Sequence, residues 1–163
     1  PIPVVTDDIA WSNLTTPGYC FYNNDESTYK KNYGALYNWY AVSTGKLAPV
    51  GWHIPSDAEW TVLTVFLGGS NIAGGKLKET GTTNWISPNI GATNETNFTA
   101  LPGGNRGQNA SIFEEVGIGG FWWTSTDING YSSNFRSIGN SQTGVGRSGS
   151  LRINGLSVRC IKD

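Results

Sequence analysis

The sequence predicts an α+β domain, and three observations carry that expectation. Ser56 is followed three residues on by Glu59 and preceded by Pro55, a capping box opening a run in which Trp60, Leu63 and Leu67 share one helical face. Tyr33, Leu36, Tyr37 and Tyr40 recur at helical spacing within NYGALYNWYAV at 32–42. GFWWTSTD and LSVRCIKD, late in the chain, read as buried strands. With no internal repeat and no linker, these elements make one domain over 1–163.

Taken in order, residues 1–30 read as extended and turn-rich, with Tyr22-Asn23-Asn24-Asp25 as a turn. The first helix, over 32–42, ends where LAPVGWHIP introduces two prolines. The second starts at Ser56 and stops at Gly68-Gly69. AGGKLKETGTTNW and SPNIGATNETNFTALPGG hold too many Gly, Pro and Asn for long regular elements, so short strands and ordered loops are expected. Between the two late strands lies SNFRSIGNSQTGVGRSGS, positions 133–150. Its Ser, Gly and Asn are punctuated by Phe135, Ile138 and Val145, a regularity that a disordered tail lacks.

At 163 residues the chain is long enough to bury a core, and seven Trp, seven Tyr and six Phe supply it. Charge is sparse at 14% and nearly balanced at −1, which argues against a nucleic-acid partner. No segment approaches the ~18 apolar residues of a membrane span. A chain opening Pro1-Ile2-Pro3, without Met or a visible signal peptide, reads as processed or cut from something longer. Cys20 and Cys160 are too far apart for a CxxC motif and are either two buried thiols or one long-range bridge.

Signals for chemistry are weak. His53 is the only histidine; flanked by Trp52 and Ile54, it reads as a packed, hydrogen-bonded residue rather than a catalytic one. Glu114-Glu115 reads as a solvated turn, with no partner for a glycosidase pair. GGNRG at 103–107 lacks phosphate-loop spacing. Asp25, Glu26, Asp127 and neighbouring Asn side chains offer oxygen ligands, so a structural calcium is admitted, although EF-hand spacing is absent.

GWHIPSDAEWTVL, together with YGALYNWYAV, AGGKLKETGTTNW, FTALPGG, FWWTSTD and SVRCIKD, resembles the Fibrobacter succinogenes major paralogous domain from Thr6 to Asp163. That family is linked to secreted and surface proteins, often lipoproteins, which implies secretion or surface display and a lipid anchor on the full-length protein. HIPSDAEW, FWWTST and the terminal VRC are also similar to the motif series of formylglycine-generating enzymes. The resemblance implies a C-type lectin-like fold, with two helices packed on a twisted antiparallel sheet with extensive loops. It does not imply the oxidation, because the cysteine pair those enzymes carry is missing between Asp127 and Arg159. The calcium–sugar motif of classical C-type lectins is missing too, with only Ser87-Pro88-Asn89 in its place. Also missing is the family's upstream segment, of the form IGxQxWMAENL. Either the chain is a fragment or another segment fills that place, which puts the sheet edge in question.

In C-type lectin-like proteins diversified by retroelements, the stretch before the last strand forms the variable ligand face. From Asp127 to Asn154 this chain has no Lys, Glu, Met or Trp and one Gln, a composition that a diversified surface and an ordinary polar β-hairpin share. A few aromatics among Ser, Gly and Asn also match the chemistry of antibody paratopes. The expected contact set is Tyr131, Phe135, Asn140, Gln142, Ser148, Ser150, Leu151 and Ile153, with Arg136 and Arg147 supporting it or touching ligand. Trp122, Trp123 and Val158 are expected as buried scaffold. The functional expectation is a non-catalytic module that binds a protein or glycan through 127–154, needing no cofactor. The alternative is an accessory domain of a surface assembly with no ligand of its own.

Overall fold

The capping box at Ser56 forms as its residues dictate. In the computed structural model, which describes residues 1–107 and 112–163, the Ser56 hydroxyl accepts from the Glu59 amide at 3.3 Å. The Glu59 carboxylate accepts from the Ser56 amide at 2.7 Å. Both orphan donors at the helix start are satisfied, and α4 (Asp57–Phe66) follows. It stops in a Schellman arrangement, with Gly68 N–H on the Val65 carbonyl at 3.0 Å and Gly69 N–H on the Thr64 carbonyl at 2.9 Å. Both glycines take positive φ, 96° and 109°, where a Cβ would be strained. Trp60 and Leu67 are buried on the inner face, with Leu63 half-buried beside them.

The described residues hold five α-helices rather than the two expected: α1 (Asp8–Ser12), α2 (Glu26–Tyr33), α3 (Trp39–Val42), α4 and α5 (Ser70–Leu77). The helix expected over 32–42 is not one element. Asp25 caps α2, which ends at Gly34 (φ 73°). Leu36–Tyr37 then forms β2, paired with β1 (Tyr19–Cys20), and the Asn38 side chain caps the short α3. The aromatic spacing is real, but a helix end, a strand and a helix start share it.

Helix α5 occupies part of a stretch read as loop. Its Gly74 and Gly75 lower helix propensity, yet both are buried because other backbone passes against them. A Cβ on Gly74 would fall inside the Gly144 carbonyl. Close packing overrides propensity here.

The main sheet has the order β5-β4-β6-β7-β8, built from β4 (Gly103–Arg106), β5 (Phe113–Val116), β6 (Gly119–Asp127), β7 (Ser132–Gly139) and β8 (Gly146–Leu151). It is mixed rather than purely antiparallel, since β4 and β6 run parallel at Gly104 and Gly120. LSVRCIKD is not a continuous buried strand. Leu156 and Ser157 make isolated bridges, and only the exposed β9 (Ile161–Lys162) pairs, with β3 (Trp52–His53).

Strand β6 carries core on both faces, as side chains alternate along it. Trp122 packs with Trp60, Leu77, Trp85 and Ile138 on the α4–α5 side. Trp123 packs with Trp39, Val42, Ile54 and Leu156 on the other, with Val158 and Cys160 partly buried beside them. A third cluster joins Trp11, Cys20, Tyr22 and Leu36. Cys20 and Cys160 are free thiols. Burial pushes the Cys20 thiol up to about 11, so it is held protonated and unreactive.

Candidate functional site at the hairpin of β7 and β8

Strands β7 and β8 form the hairpin that the 133–150 window encodes, with Phe135 opposite Ser148 and Ser132 opposite Leu151. Its two ends differ. At the open end, the turn from β6 into β7 is fixed by its own side chains. Asn129 Oδ1 accepts from the amides of Tyr131 and Ser132 at 3.1 and 2.9 Å, and Asp127 accepts from the Gly130 amide. Asp127 also pairs with Arg152 at 2.7 Å, and that guanidinium lies 4.5 Å over the Trp39 ring. The Arg152 contact holds the Asp127 carboxyl below its ordinary range.

Tyr131 projects from this fixed turn with 80% of its surface exposed. It borders a concavity of about 380 Å³ with Leu151, Ile153, Tyr40, Arg152 and Asn13. Three of the expected contact residues therefore meet: Tyr131, Leu151 and Ile153. Ile153 is half-buried and also packs against the Trp11 cluster. Along β8, Ser148 is exposed, and Ser150 is half-buried, its hydroxyl accepting from Asn154 Nδ2 at 2.7 Å.

Other expected contacts lie elsewhere. Phe135 is half-buried, its ring centroid 6.1 Å from Phe121 and 6.4 Å from Trp123, so it is mainly packing. Gln142 is exposed but sits at the closed end of the hairpin. Asn140 is not solvent-facing. It is buried, and its Nδ2 donates to the Ile86 carbonyl at 3.0 Å while its own carbonyl accepts from the Ile90 amide at 2.7 Å.

A residue that sequence reasoning passed over anchors the closed end. Lys78 is fully buried, and its Nζ donates to the carbonyls of Ile90, Gly139 and Gln142 at 2.8, 3.0 and 2.9 Å. It also lies 5.5 Å over the Trp85 ring. Burial pulls its pKa down to about 8, so at neutral pH the charged ammonium still supplies all three bonds.

The arginines divide the two roles offered to them. Arg136 is buried; its Nε donates to Asp57 Oδ1 at 3.0 Å and its Nη2 to Thr61 Oγ1 at 2.8 Å. Arg147 reaches the same carboxylate at 2.7 Å while keeping 62% of its side chain exposed. One carboxylate serves two guanidiniums, so the cluster keeps a surplus positive charge on Arg147.

His53 has both ring nitrogens engaged, Nδ1 with Asp163 at 2.6 Å and Nε2 with Glu59 at 2.8 Å. These bonds raise its pKa and leave no free lone pair for a base. Among the described residues no three His, Cys, Asp or Glu side chains are placed to hold a metal ion. Asp25 caps α2 instead, and Asp127 serves Arg152. No helix among them is long and apolar enough to cross a membrane.

A larger groove of about 1030 Å³, not anticipated from sequence, runs beside Pro3, Tyr19, Phe21, Tyr37 and Lys46. Its rings pack mainly on one another, Tyr19 lying 5.5 Å from Tyr37 and 5.8 Å from Phe21. Tyr131 has no such ring partner among the described residues.

Comparison with curated proteins and with solved structures returns no match. The family profile described as the Fibrobacter succinogenes major domain matches residues 1–162, and the chain belongs to that family.

Proposed function

We propose that the chain is a non-catalytic binding module, C-type lectin-like in fold, which recognises its ligand at the open end of the β7–β8 hairpin. The family resemblance supports a setting at the bacterial surface or in secretion as part of this proposal. The observation that carries the reading is Tyr131, an 80% exposed aromatic on a turn whose polar groups are tied down. A rigid aromatic beside Leu151 and a small concavity supplies contact area at low entropic cost, and a few such residues dominate interface energy. Helices packed on a curled sheet support the lectin-like assignment.

The test screens the intact domain and a Tyr131→Ser/Leu151→Ser variant on protein and glycan arrays. The expected result is a ligand lost by the variant while its melting temperature holds. A ligand bound equally by both proteins would remove this surface from the function.

The accessory-domain reading draws support from α4, whose outward face carries Val62, Val65 and Phe66 at 70%, 67% and 82% exposure. Proton-exchange protection of that face within a purified assembly, without change at Tyr131, would favour it.

A further inference from the structure

We propose that the ligand is a polypeptide, held as an added strand along the outer edge of β8. The inference rests on the binding reading above and narrows it to one chemistry.

Strand β8 ends the sheet order, and no described residue pairs with its far side. The register fixes which of its backbone groups are free. The Arg152 amide donates to the Tyr131 carbonyl at 3.1 Å, a bond that brackets the opposed pair Ser132 and Leu151 and makes it a non-hydrogen-bonded one. In an antiparallel ladder such pairs alternate with hydrogen-bonded ones, so Ser150 and Ser148 turn inward to β7. Arg147, Gly149 and Leu151 turn outward. Their amides, and the carbonyls of Arg147 and Gly149, have no partner among the described residues, while the Leu151 carbonyl accepts from the Asn154 amide.

Natural sheets blunt such edges with proline, bulges or outward charge. This one has no proline and no break in register, and it carries a single charge, Arg147, which reaches Asp57 while staying exposed. Its side chains are small at the centre, where Gly149 leaves the backbone edge exposed and the Ile128 side chain lies against its face, so close that a Cβ would meet Cδ1 at 2.6 Å. A second backbone can therefore approach closely.

Charge and apolar surface select the occupant. Arg147, Gly149 and Leu151 project on one face, because side chains alternate along a strand. That face offers surplus positive charge at Arg147, the Ile128 side chain at the centre, and Leu151 leading to Tyr131. An extended peptide running antiparallel fits with an apolar side chain at Leu151, another two residues on at Ile128, and a carboxylate two residues after that against Arg147. Main-chain bonds give such complexes their affinity and alternate side chains their specificity.

The probe is the fluorescein-labelled peptide Thr-Leu-Thr-Val-Thr-Glu-Thr, followed by fluorescence anisotropy. Saturable binding is expected. N-methylation of the Val amide, which faces β8, should weaken it by about tenfold or more, whereas methylation of the next Thr amide should change it by less than about twofold. Gly149→Pro should weaken it as the Val methyl does, since that amide faces away from β7. Arg147→Glu should reverse the preference between Glu and Lys in the peptide. Failure to saturate by about 1 mM, or equal binding of the two methylated peptides, overturns the added strand. If Gly149→Pro loses its cooperative melt, the two methylated peptides decide alone. An array ligand that needs Tyr131 and Leu151 but tolerates Gly149→Pro would sink the added strand and leave the surface reading standing. Undiminished peptide binding by the Tyr131→Ser/Leu151→Ser variant would uphold the strand and remove the aromatic surface from it.

Discussion

The two ends of one hairpin are built on opposite plans. At the closed end the chain turns inward, and Lys78, Asn140 and the Thr143 carbonyl, which accepts from Gly75, tie it to α5 and to the 86–92 loop. At the open end Asn129, Asp127 and Arg152 fix the backbone but leave Tyr131 and Leu151 facing water. Both ends are tied down by hydrogen bonds, yet only one has side chains to spare. A polar, glycine-rich sequence therefore does not say whether a segment serves the core or the surface. What decides is whether distant carbonyls are waiting for its donors.

The largest expected effect tests the closed end. Lys78→Ala removes a fully buried side chain and strips three carbonyls of their donor, and should destabilise the domain by about 3 kcal/mol or more in urea melts. A loss under about 1 kcal/mol would show that water replaces the ammonium, and the closed end would not be an anchor. Asn140→Ala should come next, at about 1–3 kcal/mol, because the Ile86 carbonyl loses its partner. Unchanged stability there would return Asn140 to the contact set.

A smaller effect, away from the hairpin, calibrates exposed electrostatics against these buried bonds. Bonds to Asp163 and Glu59 raise the His53 pKa above its ordinary 6.5. The folded state then holds this proton more tightly than the unfolded chain does. The contribution is full below pH 6.5 and is lost as pH rises through the raised value. Glu59, held low first by the Ser56 amide and then by His53, adds stability above its ordinary 4.5 that is lost as pH falls through its lowered value. Melting temperature measured from pH 5.5 to 8.5 should therefore decline less in His53→Gln than in wild type. Parallel curves would mean the bonds are not made in solution. The smallest effect on stability belongs to the open end, where Tyr131→Ser should shift unfolding by no more than about 0.5 kcal/mol. Unfolding of that variant would make Tyr131 core and reverse the comparison.

The sequence made local features legible and long-range ones obscure. Ser56, Glu59 and Gly68-Gly69 announce α4 because capping chemistry acts within one turn. Trp122 and Trp123 announce a strand buried on both faces, because adjacent large apolar residues have no solvent side to take. Helix α5 was hidden because its glycines answer to Gly144 and Gly91, which lie far along the chain. Lys78 was hidden for the same reason, since its acceptors lie 12, 61 and 64 residues away. Within the candidate site, Tyr131 and Leu151 were readable as large residues in a polar stretch. Tyr40 and Asn13 were not, because the topology alone brings them to the concavity.

Residue-resolved amide hydrogen exchange on the free domain tests the division of the hairpin most directly, and it needs no ligand. Slow exchange is expected at the closed end, where the Gly75, Ile90 and Val145 amides donate to Thr143, Asn140 and Ser70. Along β8 exchange should alternate, with Ser148 and Ser150 protected while Arg147 and Gly149 exchange freely. Uniform protection along β8, with the closed-end amides exchanging as fast as the turn at Gly130, would contradict both the open edge and the anchored end.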